Sequence, residues 1–290
     1  MFHANRRMPL LMLLTLIVAL VIVIAIGERY TVSETSGDGA LLGVELPIIM
    51  YHSVLDDAQR GGKYIITPDQ LEKDLLYLRE HGYTTILMQD LIAYMDGEAL
   101  PEKPILLTFD DAYYNNYSYL FPLLKKYDMK AVISVIGIYT ELYSATNDPP
   151  NNNYSHLTWA QLREMQDSGL IEVQNHTYNM HGEEGRNGLR KKTHETEEQY
   201  DAAISEDIAR LQELCRQELG TVPTLFVYPF GYVYDRSERA VRALGFSGSV
   251  TCYERVNLIT RDPETLYCMG RYNRAYGKNA TEFFANISVR

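Results

Sequence analysis

Cysteine is scarce in this chain of 290 residues, which contains only Cys215, Cys252 and Cys268. Their spacings match neither a disulfide framework nor a cysteine-based zinc site. A Cys252–Cys268 disulfide is compatible with an oxidising compartment, but an odd number of cysteines leaves at least one thiol unpaired. We therefore expect buried free cysteines, and a fold held by the single large core that a chain with 46% hydrophobic residues can form.

Basic residues are also in the minority, because 27 Lys and Arg residues stand against 38 Asp and Glu residues. The formal net charge is −11. Proteins that bind nucleic acid neutralise phosphates with basic side chains, and anionic membrane surfaces attract basic segments. The acidic balance argues against both kinds of partner and leaves neutral or positively charged substrates.

One long hydrophobic run covers residues 10–26, where Thr15 is the only polar residue. As a helix, these residues extend about 26 Å, which is near the short end of a transmembrane span. Because Arg6 and Arg7 precede the run, the N-terminus should stay in the cytoplasm and the rest of the chain should be exported. A signal peptide cleaved after Gly27 is the alternative, although the run is long for a signal peptide.

The expected organisation has four parts: a cytoplasmic segment at residues 1–9, a transmembrane signal anchor at 10–26, a linker at 27–45 and one domain at 46–290. The protein would then cross the cell membrane once, with its domain outside the cell, or be secreted if the anchor is cleaved. We expect a monomer.

From Leu46 onward, short apolar runs alternate with amphipathic stretches. The predicted strands cover residues 47–52, 84–87, 105–109, 131–136, 170–174, 224–228 and 248–251. The predicted helices cover residues 68–81, 87–94, 121–127, 159–168 and 198–218. Thr67 with Gln70, and Thr158 with Gln161, have the spacing of a capping box. The alternation predicts an α/β fold, a distorted or incomplete seven-stranded (β/α) barrel, interrupted by long polar loops at 142–156 and 182–196.

Polar residues follow the C-terminal ends of four predicted strands. Asp110 and Asp111 follow one strand, His176 follows a second, and Phe230 and His52 follow two others. In a parallel barrel all C-terminal strand ends lie on one face, where the active site forms. Two adjacent carboxylates repel each other unless a cation lies nearby. One carboxylate and two neutral imidazoles form a suitable ligand set for a divalent metal.

The segment "HTYNMH" places His176 and His181 five residues apart. On a helix the two side chains would point about 140° apart, and on a strand they would point to opposite faces. Only a loop lets both imidazoles reach one point. We therefore predict a metal-binding loop in which Met180 is a spacer. The alternative is a solvated loop with two incidental histidines.

Three segments in order, "LLTFDDAY", "LTWAQLREMQDSGLIEVQNHTYNMH" and "FVYPFG", resemble the polysaccharide deacetylases, the NodB homology domain of carbohydrate esterase family four. The segment "LPIIMYHSV" is similar to the first strand of many members. The resemblance covers residues 47–274. It implies metal-dependent hydrolytic N-deacetylation of an extracellular N-acetylglucosamine-containing polysaccharide, so an N-acetylated glycan is the expected partner.

The resemblance also implies a role for individual residues. Asp110 would be the catalytic base, and the backbone N–H of Phe230 would bind the oxyanion. One divalent metal ion, zinc or alternatively cobalt, nickel or iron, would be held by Asp111, His176 and His181. The family's third ligand usually comes four residues after the second, where this chain has Met180. The longer spacing resembles the branch that acts on poly-N-acetylglucosamine.

Two departures from the family pattern concern the groups around the base. Val227 stands where the third motif usually has an arginine, and no histidine follows His194, although the family's general acid is a late histidine. We expect the site to be lined by other polar residues, namely His52, Asn175 and Arg271. His52 is either a substitute for the acid or a buried core histidine, so the sequence leaves the general acid unassigned. Two other functions are a glycan-binding pseudo-deacetylase, membrane-anchored but lacking a full acid/base pair, and a peptidoglycan deacetylase.

Overall fold

The computed structural model describes residues 43–146, 149–182 and 186–287. Within these ranges, no helix is long and apolar enough to cross a membrane. The predicted cytoplasmic segment and transmembrane anchor, and the linker up to residue 42, lie outside the described residues. The linker's predicted end is wrong, because Val44 and Glu45 belong to the first strand.

The described chain contains twelve strands and eight α-helices. The strands are β1 (Val44–Leu46), β2 (Ile48–Tyr51), β3 (Ser53–Val54), β4 (Ile65–Ile66), β5 (Thr84–Ile86), β6 (Pro104–Phe109), β7 (Ala131–Val135), β8 (Ile171–Asn175), β9 (Leu225–Val227), β10 (Gly248–Val250), β11 (Asn257–Ile259) and β12 (Tyr272–Asn273). The helices are α1 (Pro68–Glu80), α2 (Met88–Met95), α3 (Phe121–Tyr127), α4 (Gly137–Ala145), α5 (Trp159–Asp167), α6 (Glu197–Leu219), α7 (Asp235–Ala243) and α8 (Ala280–Ala285).

Eight parallel strands form a half-barrel, in the order β10-β9-β8-β7-β6-β2-β12. The eighth strand, β5, pairs with the first residues of β6. It lies along the same edge of β6 as β7, which pairs with the last residues of β6. The two ends of this sheet approach each other through a single bridge between Val250 and Met269, just before β12. The predicted α/β architecture is confirmed as a distorted parallel half-barrel, and all seven predicted strands are present.

Successive strand residues face two different hydrophobic clusters, because side chains alternate along a strand. Leu107 and its equivalents on neighbouring strands pack against α1, α3 and α5. Leu106 belongs to the cluster on the other side of the sheet, which α2 also covers. Thr108 and Asp110 continue the Leu106 side toward the C-terminal end of β6. The strand alternation therefore directs Asp110 into the mouth of the half-barrel.

Two helix starts that were predicted from capping boxes are present, although only one box closes. Thr158 and Gln161 form the predicted reciprocal capping box before α5. Thr67 accepts a hydrogen bond from the Gln70 backbone N–H, but the Gln70 side chain forms hydrogen bonds with the backbone of Ala275 and Gly277 instead of closing the box.

Helices α4, α7 and α8 were not predicted, and α4 occupies the start of the predicted loop at 142–156. The α4 N-cap residue, Ile136, makes no side-chain cap, so the sequence carries no start signal there.

All three cysteines are free thiols, as predicted, but only Cys215 is buried, whereas Cys252 and Cys268 are partly exposed. Burial raises the pKa of the Cys215 thiol to about 12, so this group is unreactive at neutral pH. The core is therefore held by apolar packing and buried polar pairs.

Candidate metal centre and active site

The adjacent carboxylates lie at the C-terminal end of β6, where the backbone turns sharply. Asp111 and Ala112 both have positive φ, at 71° and 53°. Non-glycine residues adopt this left-handed conformation rarely. The turn sends the two adjacent carboxylates in different directions. Asp110 follows the strand alternation into the half-barrel, whereas Asp111 faces the loop after β8.

Asp111, His176 and His181 converge on one point. The Nε2 atoms of His176 and His181 each lie 3.6 Å from Oδ1 of Asp111. One ligand atom from each residue lies within 4.8 Å of the others, and no other group of three such side chains occurs in the part of the chain that the structure describes. The loop thus brings together two histidines that neither a helix nor a strand could align.

The chemistry of these three side chains fits a divalent cation. Oδ1 of Asp111 is buried, and among the described residues no hydrogen-bond donor reaches it. An unpaired buried carboxylate oxygen is costly unless a cation neutralises it. Nδ1 of His176 donates to the Val227 carbonyl oxygen at 2.7 Å, so the Nε2 lone pair faces Asp111. Burial lowers the pKa of His176 to about 4, which keeps the ring neutral, as a metal ligand must be.

Met180, the spacer between the two histidines, points away from them. Its side chain is only 4% exposed and packs in a cluster with Leu189 and Tyr200. Thr177 has a φ of 73° and accepts a hydrogen bond from the Met180 N–H, which tightens the loop. Met180 therefore anchors the loop in the core, while the side chains of His176 and His181 face Asp111.

Asp110 is buried and held by a fully buried arginine. Arg271 donates from Nη1 to Oδ1 at 2.8 Å and from Nη2 to Oδ2 at 2.9 Å, and the Ser134 hydroxyl donates to Oδ1 at 2.9 Å. Burial alone would raise the pKa of Asp110, but the opposing effects, led by the charge of Arg271 and including its hydrogen bonds, lower the pKa. Asp110 therefore stays ionised in a fixed orientation.

Arg271 supplies the guanidinium that the third motif lacks. The Val227 side chain is buried in the core, and only its carbonyl oxygen reaches the site, through His176. Arg271 enters from the chain just before β12 and is fixed by donating to the Thr251 carbonyl and the Thr108 hydroxyl. It lies in the site as predicted, but its contact with Asp110 was not foreseen.

His52 lies at the end of β2 beside Asp110. Its Nε2 is 3.9 Å from Oδ2 of Asp110, and its ring packs against Tyr64 at 4.6 Å. Nδ1 of His52 is buried, with no hydrogen-bond partner among the described residues. Burial lowers the pKa of His52, with Asp110 and Asp111 opposing this effect. His52 is the imidazole nearest to Asp110 that does not belong to the Asp111 cluster.

Phe230 lies in the turn after β9, opposite His181. It has a φ of 59°, and its ring stacks on the His181 ring with centroids 4.4 Å apart. The next residue, Gly231, also has positive φ, and a Cβ there would lie 2.7 Å from Cys252. The tight turn requires glycine at position 231 and places the Phe230 backbone beside the candidate metal ligands.

Asn175 does not line the site, and this part of the prediction is wrong. Its side chain donates to the Ile208 carbonyl oxygen in α6 and accepts from the Thr177 N–H. Strand alternation explains the error, because Asn175 lies on the same side of β8 as Val173, which faces the helices. Asn175 instead fixes the start of the loop that carries the two histidines.

Two neighbours of the site were not identified from the sequence. Ser134 could have been identified, because it lies two residues after the buried Val132 on a predicted strand and so shares its face, which is the side of Asp110. His156 had no such signal, since it lies in an irregular segment. Its Nδ1 is 2.8 Å from the Asp111 carbonyl oxygen, and its ring packs against Tyr113 and Tyr139.

A protein-family profile matches the region that contains most of the candidate site residues. The profile of the polysaccharide deacetylase family matches residues 97–249, which include Asp110, Asp111, His176, His181 and Phe230. The chain belongs to the polysaccharide deacetylase family. Arg271 and His52 lie outside the matched region of this family member.

Curated relatives confirm the resemblance to the poly-N-acetylglucosamine branch. The poly-β-1,6-N-acetyl-D-glucosamine N-deacetylase of Escherichia coli K12 is 27% identical over 217 residues, which are 68% of this chain and 32% of that protein. The putative polysaccharide deacetylase YxkH of Bacillus subtilis is 28% identical over 84% of this chain and 76% of its own length. This deacetylase-family chain thus spans about a third of the E. coli relative that it matches.

Solved structures share the fold. A de-N-acetylase from Aggregatibacter actinomycetemcomitans superimposes with a TM-score of 0.72 at 25% identity, over 84% of this chain and 99% of that one. IcaB from Ammonifex degensii gives a TM-score of 0.65 at 28% identity, over 81% and 93% of the two chains. The half-barrel is therefore the fold of known deacetylases.

Proposed function

We propose that this protein removes acetyl groups by hydrolysis from an N-acetylglucosamine polysaccharide outside the cell, with a divalent metal at Asp111, His176 and His181. The observation that carries the proposal is the convergence of these three side chains beside the ionised Asp110. The names of the curated relatives support poly-β-1,6-N-acetylglucosamine as the glycan. The complete set of candidate metal ligands, Asp111, His176 and His181, does not favour a pseudo-deacetylase.

The metal ion would supply Lewis-acid polarisation of the acetamide carbonyl and activation of a water molecule. Zinc suits this nitrogen and oxygen ligand set, and cobalt, nickel or iron are alternatives. The apolar segment at residues 10–26 supports a membrane-anchored protein that acts outside the cell.

Asp110 accepts a proton from the water that attacks the acetyl carbon. Arg271 donates to both carboxylate oxygens of Asp110 and so holds the carboxylate in one orientation inside the half-barrel. This orientation fixes which lone pairs of Asp110 face the substrate. The Phe230 N–H donates to the carbonyl oxygen as negative charge develops on it. His52, whose Nε2 lies 3.9 Å from Asp110, takes up this proton from Asp110 and passes it to the nitrogen as the C–N bond breaks, which releases acetate and a free amine.

The roles of the two aspartates can be separated by matched substitutions. Asp110→Asn should abolish acetate release from poly-N-acetylglucosamine and retain bound metal, because the base is not a ligand. Asp111→Asn should lose metal. Two measurements on both variants test the proposal, namely metal content by mass spectrometry and acetate release. Acetate release is also measured with peptidoglycan and chitooligosaccharides as substrates. Equal loss of metal in the two variants would refute this division of roles.

A further inference from the structure

Exposed aromatic side chains are concentrated on the face that carries the site. Nine large apolar side chains are well exposed among the described residues, and six of them are aromatic. All six lie on segments near the C-terminal strand ends: Tyr64, Tyr154, Phe230, Tyr234, Tyr253 and Tyr276. Of the three exposed aliphatic residues, Leu142 lies on α4, and Val222 and Leu258 lie at the opposite end, before β9 and in β11. The one-sided distribution of the aromatic side chains marks a binding surface.

Two of these rings touch the histidines of the site. Tyr64, 47% exposed, packs against His52, and Phe230, 43% exposed, stacks on His181. Both rings therefore keep a large area open to solvent beside the reacting groups. His52 follows β2 and Phe230 follows β9, and three strands separate β2 from β9 in the sheet. The two rings thus lie on opposite sides of the paired carboxylates.

The segment at residues 151–156 reaches the same face and offers neutral amide groups on a fixed backbone. Asn153 accepts a hydrogen bond from Arg60, and the Asn152 carbonyl accepts one from the buried Asn115 side chain. The segment ends at His156, which contacts the Asp111 carbonyl. Flat aromatic faces combined with amides match the chemistry of a pyranose ring, which has apolar C–H faces and a polar rim of hydroxyl and acetamide groups.

We propose that a glycan chain binds across this face in contact with both rings. One sugar unit presents its acetamide to Asp110 and Asp111, and the units on either side stack on Tyr64 and Phe230. The substrate is therefore an internal unit of a chain, with at least one neighbour on each side. This inference rests on the proposed deacetylase function and adds the part of the substrate that is recognised away from the reacting bond.

Stacking of flanking units should appear as a dependence of kcat/KM on chain length. Binding energy from non-reacting parts of a substrate raises kcat/KM when it is retained in the transition state. Loss of one aromatic contact corresponds to roughly a three- to tenfold change. For N-acetylglucosamine oligosaccharides of one to six units, we expect kcat/KM to rise steeply up to three units.

The test compares Tyr64→Leu and Phe230→Leu, which remove an aromatic face, with Tyr64→Phe and Phe230→Tyr, which keep it. The readout is the ratio of kcat/KM for the hexamer to that for the monomer, at equal metal content. We expect this ratio to fall about three- to tenfold in each leucine variant. The aromatic variants and the control Leu258→Ala, which removes an exposed side chain at the opposite end, should keep the wild-type ratio.

The outcomes separate this inference from the function on which it rests. An unchanged ratio in Tyr64→Leu, which touches no candidate ligand, would overturn the stacking while leaving deacetylation intact. Calorimetric titration with the hexamer reads the same contrast without turnover, so the inference stays testable if no acetate is released. A dimer in sedimentation that Tyr64→Leu dissociates would identify a second copy as the occupant and overturn the glycan.

Discussion

At the scale of single residues, the site depends on how buried charges are compensated. Asp110 is compensated by Arg271, whereas Oδ1 of Asp111 has no donor among the described residues. A buried ion pair with good geometry is tolerated, but a buried charge with no partner is strongly destabilising. The two neighbouring carboxylates therefore have different needs, and only Asp111 requires a cation.

The five-residue spacing in "HTYNMH" leads to a comparison of two adjacent substitutions. His181→Ala should lose metal and reduce acetate release by more than about a hundredfold, because even groups that only orient a ligand are worth 10–100-fold. Met180→Leu conserves volume in a buried position and should retain metal and activity. Full metal occupancy in His181→Ala would show that the third ligand lies elsewhere.

The residues of the site differed in how far the sequence could place them. His176 and His181 were predictable, because elimination of helix and strand left a loop as the only convergent geometry. Asn175 was mispredicted, although the alternation along β8 was already readable. The Arg271–Asp110 contact joins residues 161 positions apart, and no local pattern carries that information.

At the scale of elements, the short strand β12 is held by two buried arginines. Arg271 reaches into the half-barrel, and three residues later Arg274 reaches the other side of the sheet, as strand alternation requires. Arg274 donates to both carboxylate oxygens of Asp74 in α1 at 2.8 Å, and both side chains are fully buried. A strand of two residues has no hydrophobic period, which explains why it was not predicted.

The Asp74–Arg274 pair should be essential for stability and for the position of Arg271. Asp74→Asn leaves a buried guanidinium without its charge partner and should reduce the free energy of unfolding by about 3–5 kcal/mol. Because the same segment carries Arg271, kcat should also fall. Urea unfolding and acetate release measure the two effects.

The matched control lies on the same helix. Asp69→Asn breaks an exposed pair with Lys73 and should change the free energy of unfolding by less than about 1 kcal/mol. A similar small effect for Asp74→Asn would contradict the role given to the buried pair.

At the scale of the whole molecule, the two ends of the half-barrel have separate tasks. The C-terminal strand ends carry the candidate site, and the other end carries Glu172, whose carboxylate accepts from the Met88 N–H at the start of α2 at 2.6 Å. Burial, and to a lesser extent Asp90, raises the pKa of Glu172 to about 7, against the opposing N–H groups of Met88 and Gln89. This end therefore contributes to stability in a way that depends on pH.

The sign of that dependence follows from proton binding. A glutamate that holds its proton more tightly when folded stabilises the fold at low pH, and the contribution is lost as pH rises from about 4.5 to about 7. Glu172→Gln mimics the protonated form, so it should raise the free energy of unfolding above pH 7 by up to about 3 kcal/mol and change little near pH 4.5. Urea unfolding of both proteins at the two pH values measures the difference, and a pH-independent difference would refute it.

The late position of Arg271 also has a consequence for biosynthesis. A chain that emerges N-terminus first exposes Asp110, Asp111 and both histidines long before residue 271 is made. Until β12 docks, Asp110 lacks the guanidinium that orients it. A product clipped before residue 271 would contain every residue of the family match, but it would lack this guanidinium and also Arg274, the partner of Asp74 in α1. The proposed base is therefore completed only when synthesis has passed the last buried arginines.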